Sequence, residues 1–113
     1  MMSVDDLIAS LEDIISKMKY VVDGEYVLAE HTNLFIDYTS TALRLLKQLY
    51  MLFKAKTGRT LPNTELWISM AESRAELMSK VKYGDIVKTR DHNLIVDTLK
   101  PIELALGEIE ENL

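Results

Sequence analysis

Residues Val4–Val22 read VDDLIASLEDIISKMKYVV, and the spacing of their apolar side chains decides the fold. Apolar residues recur three and four positions apart, which places them along one stripe of a helix and leaves the charges outside it. The stripe holds Val4, Leu7, Ile8, Leu11, Ile14, Ile15, Met18 and Val22. Ser3 suits the N-cap, two aspartates follow in the first turn, and Gly24 supplies a stop. The segment therefore predicts an amphipathic helix with one buried face.

A longer helical segment follows, from about Glu25 to Thr57, and Gly58 closes it. Two adjacent stripes widen its apolar arc to about 200°, which is broader than the stripe of an ordinary surface helix. One stripe holds Phe35, Tyr38, Ala42, Leu45, Leu49 and Leu52, and the other holds Ile36, Leu43, Leu46, Tyr50 and Phe53. This segment, the longest of the chain, is predicted to be either the central helix or an oligomer interface. The residues expected in that core or seam are Leu45, Leu49, Leu52 and Phe53.

Two more helical segments complete the chain. Asn63 can cap a third helix that ends near Tyr83. Its predicted buried face holds Leu66, Trp67, Met70, Leu77, Met78 and Val81. The fourth segment runs from about Asp85 to Asn112, and Pro101 predicts a kink or a break in it. The apolar stripe of this fourth segment holds Ile95, Leu99, Ile102, Leu106 and Ile109.

The second half of the chain repeats part of the first. Residues 16–20 (SKMKY) recur as 79–83 (SKVKY), and after a three-residue gap residues 24–37 align with 84–97. Nine of the nineteen paired positions are identical. The pattern spans a turn and the helix after it, which favours two related hairpins, about 3–57 and about 63–112, over a chance similarity. The sequence therefore predicts one all-α domain over residues 1–113, a four-helix bundle of two pseudo-repeated helical hairpins.

Composition excludes several classes of protein. The chain has 113 residues, enough for one domain with its own core, and no cysteine, so disulfides and thiolate sites are ruled out. No apolar run reaches the roughly 18 residues of a membrane span, and the N-terminus carries no secretory signal. We therefore expect a cytoplasmic protein without a membrane partner. The formal charge of -5 disfavours nonspecific binding to nucleic acid by the protein as a whole.

The stretch between residues 44 and 59 contains no acid, and it is the first candidate site. Clustered cations of this kind contact phosphate groups in nucleic acids. The candidate phosphate-binding residues are Arg44, Lys47, Lys54, Lys56 and Arg59. The alternative interpretation is a solvated helix face and the loop that follows it.

Polar residues on otherwise apolar stripes form the second candidate site. Arg74 lies in the middle of the predicted buried face of the third segment, where a guanidinium needs a carboxylate partner. The available carboxylates are Asp37, Asp91 and Asp97. If the hairpins meet, a small pocket suited to acid-base work or to a divalent metal would form from His31, Asn33, Arg74, Asp91, His92 and Asn93. The alternative is that these side chains satisfy backbone groups near the helix starts.

Signatures of known helical enzymes are missing from the sequence. The Glu-x-x-His spacing of di-iron bundles does not occur, because Leu28 precedes His31 and Thr89 precedes His92. Glycine-rich nucleotide loops, zinc-protease motifs and hydrolase nucleophile motifs are also missing. We therefore expect no cofactor, no metal and no enzymatic activity.

Three functions are compatible with these observations. The leading hypothesis is a non-catalytic interaction or structural module that self-associates as a homodimer or binds another protein, indicated by the 48% apolar residues and the broad arc of the second segment. The alternative is a nucleic-acid-associated subunit that uses the basic stretch. The third hypothesis is a small enzyme or ligand-binding bundle that uses the polar pocket.

Overall fold

The computed structural model describes residues 3–23, 29–78 and 89–113, and side chains over 3–21, 33–78 and 93–113. It contains four helices, α1 (Val4–Asp23), α2 (Ala29–Thr57), α3 (Pro62–Glu76) and α4 (Thr89–Asn112). The described ranges hold no strand. The predicted all-α, four-helix fold is therefore confirmed, and α2 is the longest helix at 29 residues.

Ser3 begins α1 as the sequence predicts. Its hydroxyl Oγ accepts the N–H of Asp6 at 3.1 Å, and the Asp6 carboxylate accepts the N–H of Ser3 at 3.2 Å. This reciprocal pair satisfies N–H groups that have no partner inside the helix. The apolar stripe then faces the core, with Leu7, Leu11, Ile15 and Met18 buried. Val21, which the predicted stripe did not include, is buried as well, and the side chain of Val22 lies outside the described residues.

Gly58 ends α2 in the predicted way. Its φ of 68° lies in the left-handed region, which a residue with a Cβ rarely adopts. In this conformation its N–H donates to the carbonyl of Lys54 at 2.8 Å and satisfies one of the last carbonyls of the helix. The chain then turns through residues 59–61 and enters α3 at Pro62, where a missing N–H costs nothing.

The third helix differs from the prediction in its start, its end and its buried face. Its N-cap is Leu61, which makes no side-chain cap hydrogen bond, and the predicted cap Asn63 lies inside the helix because Pro62 takes the first helical position. It ends at Glu76 rather than near Tyr83, because the N–H groups of Leu77 and Met78 bond to carbonyls three residues earlier and tighten the last turn. Its buried residues are Thr64, Ile68 and Ala71. The predicted face was wrong at Leu66 and Leu77, which are 57% and 66% exposed. Met70, Trp67 and Met78 are half-buried, and Val81 lies outside the described residues.

The physical reason for this error is the size of the inward side chains. Sequence periodicity weights large apolar residues, whereas two of the three buried residues of α3, Thr64 and Ala71, are small, and Thr64 is bonded to α4. Thr64 is held in place there, since its N–H and its hydroxyl both donate to Glu108 Oε1, at 3.3 and 3.0 Å.

Pro101 does not divide the fourth helix, which runs without interruption from Thr89 to Asn112. The proline is buried, and its ring lies in the second half of the helix. Because proline has no N–H, the carbonyl of Asp97, four residues earlier, loses its usual helical donor. Arg74 of α3 donates from Nη1 to that carbonyl and replaces the missing bond.

The helices pack as two hairpins that close on each other. The most extensive packing joins α1 to α2 and α3 to α4; α2 also contacts α4 across the centre, while α1 and α3 make no contact within the described ranges. The bundle measures 48 × 23 × 20 Å. The breadth of the apolar arc of α2 is thereby explained, because this helix contacts the other three.

The buried positions of α2 and α4 follow the same register. Residues 35, 39, 42, 45, 46 and 49 of α2 are buried, and so are the residues sixty positions later, 95, 99, 102, 105, 106 and 109 of α4. Both helices also begin sixty positions apart, at Ala29 and Thr89. This is the spacing of the aligned segments 24–37 and 84–97. The other aligned block, 79–83, lies outside the described residues, and gene duplication stays a prediction.

None of the described helices carries an apolar stretch that would span a bilayer.

Candidate functional site

A groove between α2 and α3 has the largest volume of three grooves on the described surface. It encloses about 620 Å³, more than the grooves of about 380 and 360 Å³ that lie between α1 and α4 and between α1 and α2. Apolar side chains line much of it, contributed by Ile36, Leu43, Met51 and Ala75. Met51 is 66% exposed. This groove therefore presents apolar surface that the bundle itself does not cover.

Opposite charges line the two rims of this α2–α3 groove. Arg44 and Lys47 lie on the α2 rim, and Glu72 and Glu76 lie on the α3 rim. The two helices are antiparallel, because Lys47 pairs with Glu72 at 3.0 Å while Tyr50, further along α2, bonds to Glu65, earlier in α3. Lys47 and Glu72 are about half exposed, so their ion pair contributes only about 0–1 kcal/mol to folding.

Thr39 lines the same α2–α3 groove and carries the one buried hydroxyl without a hydrogen-bond partner among the described side chains. Three other described threonines donate to the carbonyl four residues earlier, Thr41 at 3.1 Å, Thr57 at 2.8 Å and Thr98 at 2.7 Å. A buried hydroxyl without a partner costs about 1–3 kcal/mol.

The connection between α2 and α3 is held by a polar network that the sequence did not predict. The hydroxyl of Tyr50 donates to Glu65 Oε1 at 2.8 Å and accepts the N–H of Leu61 at 2.9 Å. Burial raises the pKa of Tyr50, the N–H of Leu61 lowers it, and the carboxylates of Glu65 and Glu108 raise it further. The hydroxyl therefore stays protonated and acts as a structural bridge. The sequence did hold one indication of this network: Tyr50 lies on an apolar stripe, and the hydroxyl of a buried tyrosine requires a hydrogen-bond partner.

The predicted polar pocket is only partly covered by the described residues. His31, Asp91 and His92 lie in the first turns of α2 and α4, and their side chains are outside the described set. Asn33 is half-buried and Asn93 is exposed. The grouping of these residues in one pocket stays a prediction.

Arg74 is half-buried, and its partner among the described groups is a main-chain carbonyl; the side chain of Asp91, one of the predicted carboxylates, lies outside the described residues. Its guanidinium reaches the main-chain carbonyl of Asp97, which Pro101 leaves without a helical donor. Two unusual features of the sequence, an arginine on an apolar face and a proline inside a helix, thus belong to one interaction. This contact is structural, and it joins the two helices of the second hairpin.

Three of the five cations of the predicted phosphate-binding face have partners within the chain. Lys47 pairs with Glu72, Lys54 lies 4.8 Å from the centroid of the Tyr50 ring, and Arg59 donates to Asn112 at 2.9 Å. Arg44 and Lys56 are exposed. Nucleic-acid binding stays a prediction.

The predicted oligomer seam lies inside a single chain. Leu45, Leu49 and Phe53 are buried in the core, and Leu52 is half-buried against it. These side chains face into the bundle, where α2 and α4 each contact the other three helices. Use of these residues in an oligomer seam stays a prediction.

A carboxyl pair lies in the smaller groove between α1 and α4. Burial and a hydrogen bond to Glu12 raise the pKa of Glu110, and the Glu12 charge raises it further. Lys19 forms an ion pair with Glu103 at 3.3 Å on the same groove. Within the described residues, no group of three or more His, Asp or Glu side chains is placed to hold a metal ion.

Compared with known proteins, the chain matches no protein-family model, no curated protein and no solved structure at a significant level.

Proposed function

We propose that this chain is a non-catalytic protein-interaction module and that the α2–α3 groove is its binding site. The observation that supports the proposal is the combination of an exposed apolar lining with charged rims of opposite sign. Helix-in-groove recognition uses this arrangement, because the apolar lining supplies affinity and the rims fix orientation.

The groove suits a helix better than a small molecule. It is open along its length, whereas pockets for small ligands bury most of the ligand surface. Its lining extends over four turns of α2, from Ile36 to Met51. An apolar stripe of a partner helix would cover these positions and remove their surface from water, at about 25 cal/mol per Å². The unpartnered hydroxyl of Thr39 lies in the same groove.

Photo-cross-linking in cells tests this proposal. The photoreactive amino acid benzoylphenylalanine replaces Met51 in the groove, or Leu104 on α4 in a control protein, since Leu104 is also exposed but lies outside the groove. We expect a cross-linked protein from position 51 and none above background from position 104. Mass spectrometry identifies the adduct, and the variant R44E/K47E, which reverses one rim, should reduce it. Equal labelling from both positions, or no adduct from position 51, would refute the proposal.

A further inference from the structure

We infer that the occupant of the α2–α3 groove is a second copy of this chain, related by a twofold axis parallel to the bundle, so that each α2 lies against the α3 of its partner. This inference rests on the proposed function, and it adds the identity and the orientation of the partner. It is carried by the charge pattern of the rims and by the antiparallel register of the two helices.

The charges of the two rims lie at matching heights along the bundle. Lys47 and Glu72 are at one level, since they form an ion pair across the groove. Because α2 and α3 are antiparallel, Arg44, about one turn earlier in α2, is level with Glu76, about one turn later in α3. Arg44 and Glu76 form no ion pair within the described residues. The groove therefore has two levels, each with a positive charge on one rim and a negative charge on the other. At one level the two charges form an ion pair within the chain, and at the other they do not.

A twofold axis parallel to the helices preserves these heights and exchanges the two sides of the groove. The basic rim of one copy then faces the acidic rim of the other, and the acidic rim of the first copy faces the basic rim of the second. Every charge meets an opposite charge at its own level, as an isologous interface requires. A twofold axis across the helices would instead place α2 against α2 and bring like charges together, which costs several kcal/mol. The charges of the rims therefore favour the twofold axis parallel to the helices.

A stable dimer needs a minimum area of contact. A standard interface buries about 800 Å² on each partner, which is about a tenth of the 7018 Å² exposed by this chain. On this face α2 contributes 29 residues and α3 contributes 15. The exposed side chain of Met51 would be covered by its partner, and the apolar lining of the groove would become the centre of the interface.

Complementary charge reversal tests this inference. One variant, R44E/K47E, makes both rims acidic, and the other, E72K/E76K, makes both rims basic. Light scattering coupled to size-exclusion chromatography measures the mass of the wild-type chain, of each variant, and of an equimolar mixture of the two variants. We expect a wild-type dimer whose dissociation constant rises about a hundredfold or more in each variant alone, because like charges then face each other. In the mixture, opposite charges meet again on both sides, and a one-to-one heterodimer should form.

A control variant, K17E/K100E, changes the net charge by the same amount as R44E/K47E, at exposed positions outside this groove. It should dimerise like the wild type, and circular dichroism should show helical folding in every variant. The inference is overturned by a wild-type monomer at millimolar concentration, by variants that dimerise as tightly as the wild type, or by a mixture that stays monomeric. A monomer that still cross-links a different protein from position 51 would overturn the second copy as the occupant and leave the proposed function standing.

Discussion

Replacement of Arg74 by methionine tests how the chain accommodates a proline inside α4. The guanidinium of Arg74 donates to the carbonyl of Asp97, whose helical donor is missing because residue 101 is a proline. Hydrogen bonds that involve a charged group contribute about 1.5–3 kcal/mol, and the half-buried position of this arginine reduces that value. We therefore expect R74M to lower the free energy of unfolding by about 1 kcal/mol, which is a fall of about 4 °C in Tm.

The variant P101A provides the specific part of this test. An alanine at position 101 restores the main-chain N–H, so the carbonyl of Asp97 regains a donor inside the helix. Proline in a helix interior costs about 3 kcal/mol, although the loss of its buried ring offsets part of the gain from the alanine. The test does not depend on the net stability of P101A. It depends on the coupling between the two substitutions: R74M should lower the free energy of unfolding by about 1 kcal/mol less in the P101A background than in the wild type.

Urea denaturation followed by circular dichroism measures all four proteins of this double-mutant cycle. The variant R59M serves as the control, because Arg59 is also bonded to a residue of α4, Asn112, but not to a carbonyl freed by a proline. Its effect should add to that of P101A within about 0.5 kcal/mol. Equal costs of R74M in the two backgrounds would refute the assignment of this arginine to the proline-freed carbonyl.

Three further perturbations follow from the fold. G58A should lower the free energy of unfolding by about 1 kcal/mol, because a Cβ there is opposed by the left-handed φ and by no neighbouring atom. G107A should raise the free energy of unfolding by about 0.5–1 kcal/mol, because Gly107 lies inside a helix and a Cβ there meets no atom. Thermal melts in which both variants shift Tm in the same direction would contradict this. Y50F should cost about 1–3 kcal/mol in urea denaturation, because a buried N–H loses its acceptor, and an unchanged midpoint would contradict this. The pKa of Glu110 is raised in the folded state above its ordinary 4.5, so the stability of the fold falls as pH rises through that folded pKa. E110Q should therefore flatten the decline of Tm between about pH 4 and pH 8. An unchanged slope of Tm against pH would exclude this carboxyl as the cause.

The sequence predicted those parts of the fold that depend on local patterns. Ser3 and the stripe that follows it fix α1, because a cap and a single apolar face are both readable within one segment. Gly58 ends α2 for the same kind of reason, since its left-handed φ is a local requirement. The spacing of sixty residues between the aligned segments 24–37 and 84–97 can also be found in the sequence alone.

Features that depend on contacts between segments were missed. The buried face of α3 is set by Thr64 and Ala71, whose small size matters only beside α4. Arg74 donates to a main-chain carbonyl, and a main-chain partner cannot be predicted from the types of the neighbouring residues. Pro101 did indicate that the carbonyl four positions earlier lacked its helical donor.

The candidate site illustrates the same limit. In the sequence, Arg44 and Lys47 belong to a basic run, and no local pattern places Glu72 opposite them. Without that placement the cations suggested phosphate binding, whereas the rims of the groove suggest a partner that carries both charges. The relation between the two helices, rather than either helix alone, defines the surface.

The order in which the helices contact one another also bears on how the chain folds. The most extensive packing joins helices that are neighbours in the sequence, so most of the core forms between consecutive helices, while α1 and α3 make no contact in the described ranges. Proteins dominated by such local contacts fold within microseconds to milliseconds, because little loop-closure entropy is lost before contacts form. We expect each hairpin to assemble early and the meeting of α2 with α4 to complete the core. Substitutions where α2 and α4 meet should then accelerate unfolding more than they slow folding.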